Sequence, residues 1–384
     1  MKKIDLILKV TDACNLRCKY CYNSEKKYVN NIMSLDRFAK LLELLHADYS
    51  VVHVIWHGGE PLTAGVDFYR QALDEERKIN IKYGTVVENS IQTNGTMINA
   101  AWAEFFKKNN FHVGISFDGV ANDKYRGGTE KTLSAMKLLK KHGVNFSCLA
   151  VVADNDYDLR ANYKFFADMG VSFDFNQMFC EGGAKDMPSL DIKGYTDKLV
   201  TLFDEWLYDT KGVGVRKFVS FSNLALGGRF RMCSCCSCHT KYLSMSPDGT
   251  LYNCGRDAMT AFPFGNIDEV ESVKQLFASE GARRLITLSV ARRNKCKESC
   301  DLFPLCAGGC ADIAASEGGI ANQPSNYCYY FRTLYTHVKS AMDNIVANKV
   351  PLSKLNPVMK RVFASTMVRD GGSTDNDLAE SYDK

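Results

Sequence analysis

Hydrophobic and polar positions along residues 4–210 fall into two alternating rhythms. Short β-rich runs recur six times: Ile4–Val10, Val51–His57, Val86–Thr93, His112–Phe117, Asn145–Val152 and Val171–Met178. Between them lie stretches with apolar residues three and four apart, the spacing of one helix face. These are Leu35–Leu45, Trp102–Lys108, Leu133–Lys141, Tyr157–Met169 and Tyr195–Tyr208. Ser34 and Asn99 stand where N-caps belong, and Gly143 and Gly170 where helices end in a left-handed turn. Such alternation predicts a parallel sheet covered by helices. Six units fit a partial (β/α)6 TIM-like barrel, the reading adopted here; an open doubly wound sheet meets the same pattern. In both folds the chemistry gathers at the carboxyl ends of the strands.

Four unusual clusters lie at that edge. Cys14-Asn15-Leu16-Arg17-Cys18-Lys19-Tyr20-Cys21 follows the first strand, and His57-Gly58-Gly59-Glu60-Pro61 the second. Gln92-Thr93-Asn94-Gly95 ends the third, and Ser116-Phe117-Asp118-Gly119 the fourth. Three thiolates on one short loop can point at one centre. On a 4Fe-4S cube they leave one iron without a protein ligand. A partial zinc site is the competing reading, although zinc draws on paired cysteines or histidines that this triplet lacks. Gly58 and Gly59 let backbone approach a ligand closely, and with Glu60 they suit an ammonium group; alone, Gly-Gly-Glu-Pro is a tight turn. His57 is expected to be structural, Cys148 a core thiol, and Cys180 a packed small residue.

Beyond residue 211 the rhythm breaks. Residues 233–328 hold ten of the fifteen cysteines. Pro247-Asp248-Gly249 predicts a hairpin turn. A helix is expected over Val270–Val290 and a docking helix over 329–347. Gly371–Lys384 is expected to be disordered. The boundaries drawn are 1–210, 211–335 and 336–384. A net charge of +4 is too mild to argue for nucleic acid. No apolar run approaches the ~18 residues that would span a bilayer, and the amino terminus lacks a signal-peptide pattern. So many clustered cysteines without a secretion signal point to metal and to a reducing cytoplasm.

The triplet Cys14, Cys18 and Cys21, with Tyr20 before the last cysteine, resembles the signature of the radical S-adenosylmethionine (SAM) enzymes. The resemblance implies a cube whose open iron chelates SAM. It gives Gly58, Gly59, Glu60 and Pro61 the SAM amino group, Asn94 and Ser116 the ribose and carboxylate, and Arg126 the carboxylate. A guanidinium suits that last, bidentate task. The later run, Cys238-x10-Gly249-x4-Cys254, then four cysteines and Cys328, resembles the SPASM domain. That implies two auxiliary 4Fe-4S clusters, three in all. The first would take Cys238, Cys254 and Cys310, with a fourth ligand from Cys233, Cys235 or Cys236, Cys233 being favoured by its distance from Cys238, or an exchangeable site there that binds a substrate thiolate. The second would take Cys296, Cys300, Cys306 and Cys328, although Cys296 and Cys300 are separated by three residues where two are usual. Two zinc ribbons are the alternative.

Trp56–Leu62 with Ile91–Gly95 is similar to the anaerobic sulfatase-maturating enzymes and related peptide maturases, over about residues 5–335. In the sulfatase-maturating members an Asp directly follows the cysteine equivalent to Cys254; here Gly255 stands there, and Asp257 is the nearest candidate. That departure turns the expectation toward an oxidative cross-link, thioether or C–C, in a ribosomally made peptide. Conversion of Cys or Ser to formylglycine is the alternative, and a non-catalytic iron–sulfur carrier or sensor the reading of another class. The implied partners are a peptide or protein substrate and a flavodoxin- or ferredoxin-type reductant. Because the chain begins almost at the first strand, a leader peptide is expected to need a groove on this chain or a separate leader-binding protein. Radical chemistry needs no general base in the barrel, and no Ser/His/Asp constellation is visible.

Overall fold

The computed structural model describes residues 2–24, 31–228, 230, 232–235 and 238–367. Six parallel strands form its centre: β1 (Lys3–Thr11), β2 (Val51–Gly58), β3 (Val86–Thr93), β4 (His112–Ser116), β5 (Phe146–Val152) and β6 (Phe173–Gln177). They lie in the order β6-β5-β4-β3-β2-β1. A doubly wound sheet reverses its strand order at a switch point; this one never does. The partial-barrel reading therefore stands.

The helices outside the strands are α1 (Leu35–Leu45), α2 (Val66–Tyr83), α3 (Ala100–Lys108), the single turn α4 (Asn122–Tyr125), α5 (Thr129–Lys141), α6 (Leu159–Asp168) and α7 (Ile192–Tyr208). Ser34 and Asn99 accept backbone N–H groups at the starts of α1 and α3. Gly143 and Gly170 take positive φ just past α5 and α6. α1 buries Phe38, Leu41, Leu42 and Leu45, with Phe38 against Trp56 at 5.1 Å between ring centres; each such side chain contributes roughly 1.5–3 kcal/mol by leaving water. The apolar rhythm missed α2. Its buried stripe of Phe68, Tyr69, Ala72, Glu76 and Ile79 is narrow, includes a carboxylate, and runs through a charged DEERK segment. Glu76 accepts from Asn89 Nδ2 at 2.8 Å, and Asn89 accepts from Trp56 Nε1 at 2.7 Å. Burial raises Glu76 to about 7, against the pull of Asn89 and Arg77.

The second half does not stand apart from the first. β7 (Tyr242–Met245) pairs in parallel with β1, from Asp5↔Tyr242 to Leu8↔Met245. β8 (Thr250–Tyr252) and β9 (Gly265–Asn266) continue the same sheet in antiparallel fashion. The expected Pro-Asp-Gly hairpin joins β7 to β8. Gly249 donates to Ser246 O at 2.9 Å, and its φ of +89° suits a residue without Cβ.

Then come α8 (Arg216–Ala225), α9 (Val273–Phe277), α10 (Glu280–Ser299), α11 (Phe303–Cys306), α12 (Ala311–Ser316), α13 (Ser325–Ala347) and α14 (Met359–Met367). The helix expected over Val270–Val290 is two helices, because Ser279 caps a new one by accepting from Ala282 N. α10 runs on through Cys296 and is capped at Cys300. That explains the wider cysteine spacing, since residues four apart share a helix face. α13 packs on α7 and α8. No helix among the described residues is long and apolar enough to cross a membrane. Gly371–Lys384 lies outside the described residues.

Candidate active site

The loop after β1 carries Cys14, Cys18 and Cys21, all half-buried. It is pinned to the end of β2: Gly59 N donates to Thr11 O and Glu60 N to Ala13 O, both at 2.7 Å. A Cβ on Gly58 would meet Thr11 O at 2.4 Å, and one on Gly59 would meet Ala13 O at 2.1 Å. The close approach these glycines permit is thus to the chain's own cysteine loop. Glu60, 1% exposed, accepts from Leu62 N (3.1 Å), Thr93 Oγ1 (2.7 Å) and Asn94 N (2.8 Å). Its carboxylate ties the ends of β2 and β3 together.

Burial raises the Cys14 thiol to about 11, helped by the charges of Glu60, Cys18 and Cys21 and opposed by the Leu16 N–H. Burial also raises Cys18, against Arg126. Cys14 and Cys18, hard to ionise where they lie, would be stabilised as thiolates by a cation at the centre of the triplet, which fits an iron–sulfur group. Asn94 Nδ2 lies 4.0 Å from Cys14 Sγ, and Arg126 Nη1 3.8 Å from Cys18 Sγ. Asn94 is held by Asn15 and Thr96, and Ser116 Oγ accepts from Gln92 at 2.8 Å. Arg126 donates to Asp118 at 3.2 Å and lies over the Tyr20 ring. Asp118 in turn accepts from Tyr20 and from Val151 N. Burial opposes the guanidinium charge, but Tyr20, Asp118 and Cys18 outweigh it.

The later cysteines fall into two groups. Cys238, Cys254 and Cys310 each feel the charge of Cys233. Cys306 and Cys328 each feel the charges of Cys296 and Cys300. Burial and then neighbouring thiolates raise Cys238 to about 12; burial first raises Cys254 and Cys328 to about 11. Among the described residues no three His, Cys, Asp or Glu side chains converge as a single bound ion requires. The buried Arg292 bridges the two groups. It donates to Gly308 O at 2.9 Å and to Ile320 O, and feels Cys310, Cys296 and Cys238.

Known proteins match this arrangement. Residues 8–165 match the radical SAM superfamily, and residues 235–307 the SPASM iron–sulfur cluster-binding domain. A cysteine-type anaerobic sulfatase-maturating enzyme of Clostridium novyi is 33% identical over 87% of this chain and 95% of its own length. The chain belongs to this family of radical SAM enzymes. A serine-type member from Bacteroides thetaiotaomicron is 28% identical, over 88% of this chain and 90% of its own. A solved family structure, anSMEcpe with bound AdoMet and Cp18Cys peptide, is 29% identical and superposes with a TM-score of 0.77, covering 91% of this chain and all of that one. The enzyme's cofactors are accordingly SAM and 4Fe-4S clusters, auxiliary ones included.

Not every expected residue joins the family site. Cys236 and the side chains of Cys235 and Asp257 lie outside the described residues. Cys148 is buried, beside Met136, but Cys180 is exposed rather than packed. The expectation that no Ser/His/Asp set exists is corrected. Asp5 lies 2.7 Å from His53 Nδ1, and His53 Nε2 lies 3.0 Å from Ser90. This row sits on β1, β2 and β3 away from the cysteine loop.

Sequence reasoning also missed the residues between the two cysteine regions. Tyr22 feels the charges of Arg256, Cys21, Cys254 and Glu181. Its hydroxyl lies 3.4 Å from His57 Nδ1, and Lys9 lies over its ring. Burial, then Lys9 and Arg256, lower His57 to about 4. Arg256 pairs with Asp312 at 3.9 Å and stacks on Phe179. Tyr22 and Arg256 had a visible signal, since each follows a candidate ligand within two positions.

Proposed function

We propose that this enzyme oxidises a cysteine side chain, or a serine, in a protein substrate to formylglycine. The observation that carries the reading is the near full-length likeness, at 33% identity, to the cysteine-type sulfatase-maturating enzyme. When bound, SAM and its cluster supply the 5′-deoxyadenosyl radical that takes a hydrogen atom from an unactivated carbon. In this reading Cys14, Cys18 and Cys21 hold the SAM cluster. Gly58, Gly59, Glu60 and Pro61 shape the site for the SAM amino group, Glu60 by bracing the β2 and β3 ends. Asn94 and Ser116 serve the ribose and carboxylate, and Arg126 pairs with the carboxylate. Cys233, Cys238, Cys254 and Cys310 hold the first auxiliary cluster, and Cys296, Cys300, Cys306 and Cys328 the second. Tyr22, His57 and Arg256, between Cys21 and Cys254, line the place for the substrate side chain and exclude water from it. A flavodoxin- or ferredoxin-type protein supplies the electron.

A second reading, the oxidative cross-linking of a ribosomally made peptide, is favoured by one observation. Gly255 stands where the resemblance calls for an Asp, and a Cβ there would meet Ile7 at 3.2 Å and Lys9 at 3.6 Å. The test is anaerobic reconstitution with SAM, dithionite and a cysteine-containing sulfatase-type peptide. Formylglycine appears as a hydrazide-reactive aldehyde with loss of sulfur. A product that has lost only two hydrogens and carries no aldehyde would favour the cross-link instead.

A further inference from the structure

The loop after β6 holds a carboxylate unlike the other buried acids around it. Asp118 and Asp174 accept backbone and side-chain donors. Glu181 is 6% exposed, and neither of its oxygens has a hydrogen-bond partner among the described residues. An unbonded buried carboxylate costs several kcal/mol, so its retention calls for a role. Its backbone is fixed: Ala184 N donates to Glu181 O at 3.0 Å, and Gly183 N to Cys21 O at 2.9 Å. Gly182 allows the approach, since a Cβ there would sit 2.5 Å from both Cys21 O and Tyr22 O. The loop is therefore clamped onto the SAM-cluster loop. Tyr22 and Arg256 both feel Glu181, and both feel Cys254. The carboxylate's own loop thus sits directly against Cys21 and Tyr22.

The neighbouring groups are poor proton acceptors. His57 Nδ1 already accepts the Gly58 N–H at 2.8 Å, and burial and two cations hold its pKa near 4. The Tyr22 hydroxyl faces His57 Nδ1 at 3.4 Å. Lys9 and Arg256 are cations, and Asp312 is paired to Arg256.

We propose that Glu181 is the base that touches the substrate and takes its thiol or hydroxyl proton; the proposal rests on the formylglycine reading above. The step balances as follows. The substrate Cβ–H bond breaks and its hydrogen atom goes to the radical derived from SAM. The S–H or O–H bond breaks, its proton goes to the Glu181 carboxylate, and one electron goes to the iron–sulfur cluster at the Cys254 group. A C=O bond forms from serine, or a C=S bond from cysteine, which water then converts to the aldehyde as hydrogen sulfide leaves. Arg256 offsets the carboxylate's charge without occupying its lone pairs, which are left for the substrate.

The experiment uses the reconstituted full chain, SAM, dithionite and a sulfatase-type peptide deuterated at the cysteine Cβ. SAM affinity, deuterium in 5′-deoxyadenosine and aldehyde are read separately. In Glu181→Gln, aldehyde is expected to fall about 100-fold, the usual worth of a positioned base. SAM affinity and deuterium transfer should stay within about threefold, the split expected when only the later step is lost. Glu181→Asp, which keeps the base, should recover part of the aldehyde and serves if the Gln variant does not fold. Aldehyde within about threefold of wild type in Glu181→Gln would overturn the proposal. So would SAM affinity lost in step with product, which would put Glu181 against SAM, or an Asp variant no better than Gln. A wild type that leaves the peptide unchanged sinks the formylglycine reading, and the assignment of Glu181 with it.

Discussion

Two glutamates at the same edge of one sheet behave in opposite ways. Glu60, after β2, is buried and receives three donors. Glu181, after β6, is buried and receives none among the described residues. The first carboxylate is consumed in joining strand ends; the second is kept free at the cost of stability. At an active edge, a buried charge that is satisfied builds the site, and one that is not is there to meet something else.

The largest expected effects sharpen the first half of that contrast. Replacing Cys14, Cys18 or Cys21 by alanine removes a thiolate from the triplet. SAM cleavage should drop at least about 1000-fold, read as 5′-deoxyadenosine, with iron content lowered by one cluster, because these ligands are the chemistry's support. Next is Glu60→Gln. Its amide turns an N–H toward Leu62, Thr93 or Asn94, so the variant should lose about 2–4 kcal/mol in denaturant melts, one or two charge-assisted bonds' worth. Glu181→Gln should lose none and melt at the same or a higher temperature. If the two variants melt alike, the contrast between the glutamates fails.

Glu76 offers a third kind of buried carboxylate, half satisfied. Its pKa is raised from 4.5 to about 7 on folding. The folded state therefore holds its proton longer than the unfolded state, and stability falls as pH rises through that window. The loss is about 3 kcal/mol at most, and is complete above pH 7. Thermal melts between pH 4.5 and 7 should show this slope, flattened in Glu76→Gln; an unchanged slope assigns it to other groups. The smallest effect concerns Gly255. In Glu181→Gln, a second change Gly255→Asp should return some aldehyde, within about tenfold of wild type, while costing about 1 kcal/mol for contact with Ile7. No recovery would mean that a carboxylate there cannot stand in for Glu181.

Much of this was legible in the chain. The six strands are read to within two residues at either end, because buried parallel strands are bounded by turn residues and broken only at the edge. The cysteine spacings announced an iron–sulfur cluster-binding domain after the barrel. What the sequence hid were features of packing. α2 is a helix whose polar surface masks its stripe. The Asp5–His53–Ser90 row comes from three strands and has no local signature. Glu181 lies in a stretch where the adjacent Cys180 drew attention instead; a strand-end rule applied to every polar residue there would have found it. The spacing of Cys296 and Cys300 follows from the last turn of α10, where Cys300 N donates to Cys296 O at 2.9 Å.

The pairing of β7 with β1 carries a mechanical consequence. A module that supplies a strand to its neighbour's sheet cannot swing on a hinge. The loop with Cys14, Cys18 and Cys21 leaves the end of β1, and Cys254 follows the hairpin built on β7, so one hydrogen-bonded sheet sets the gap between the two cysteine regions. On the ligand assignment proposed above, an electron's path between those regions keeps one length whichever peptide is bound.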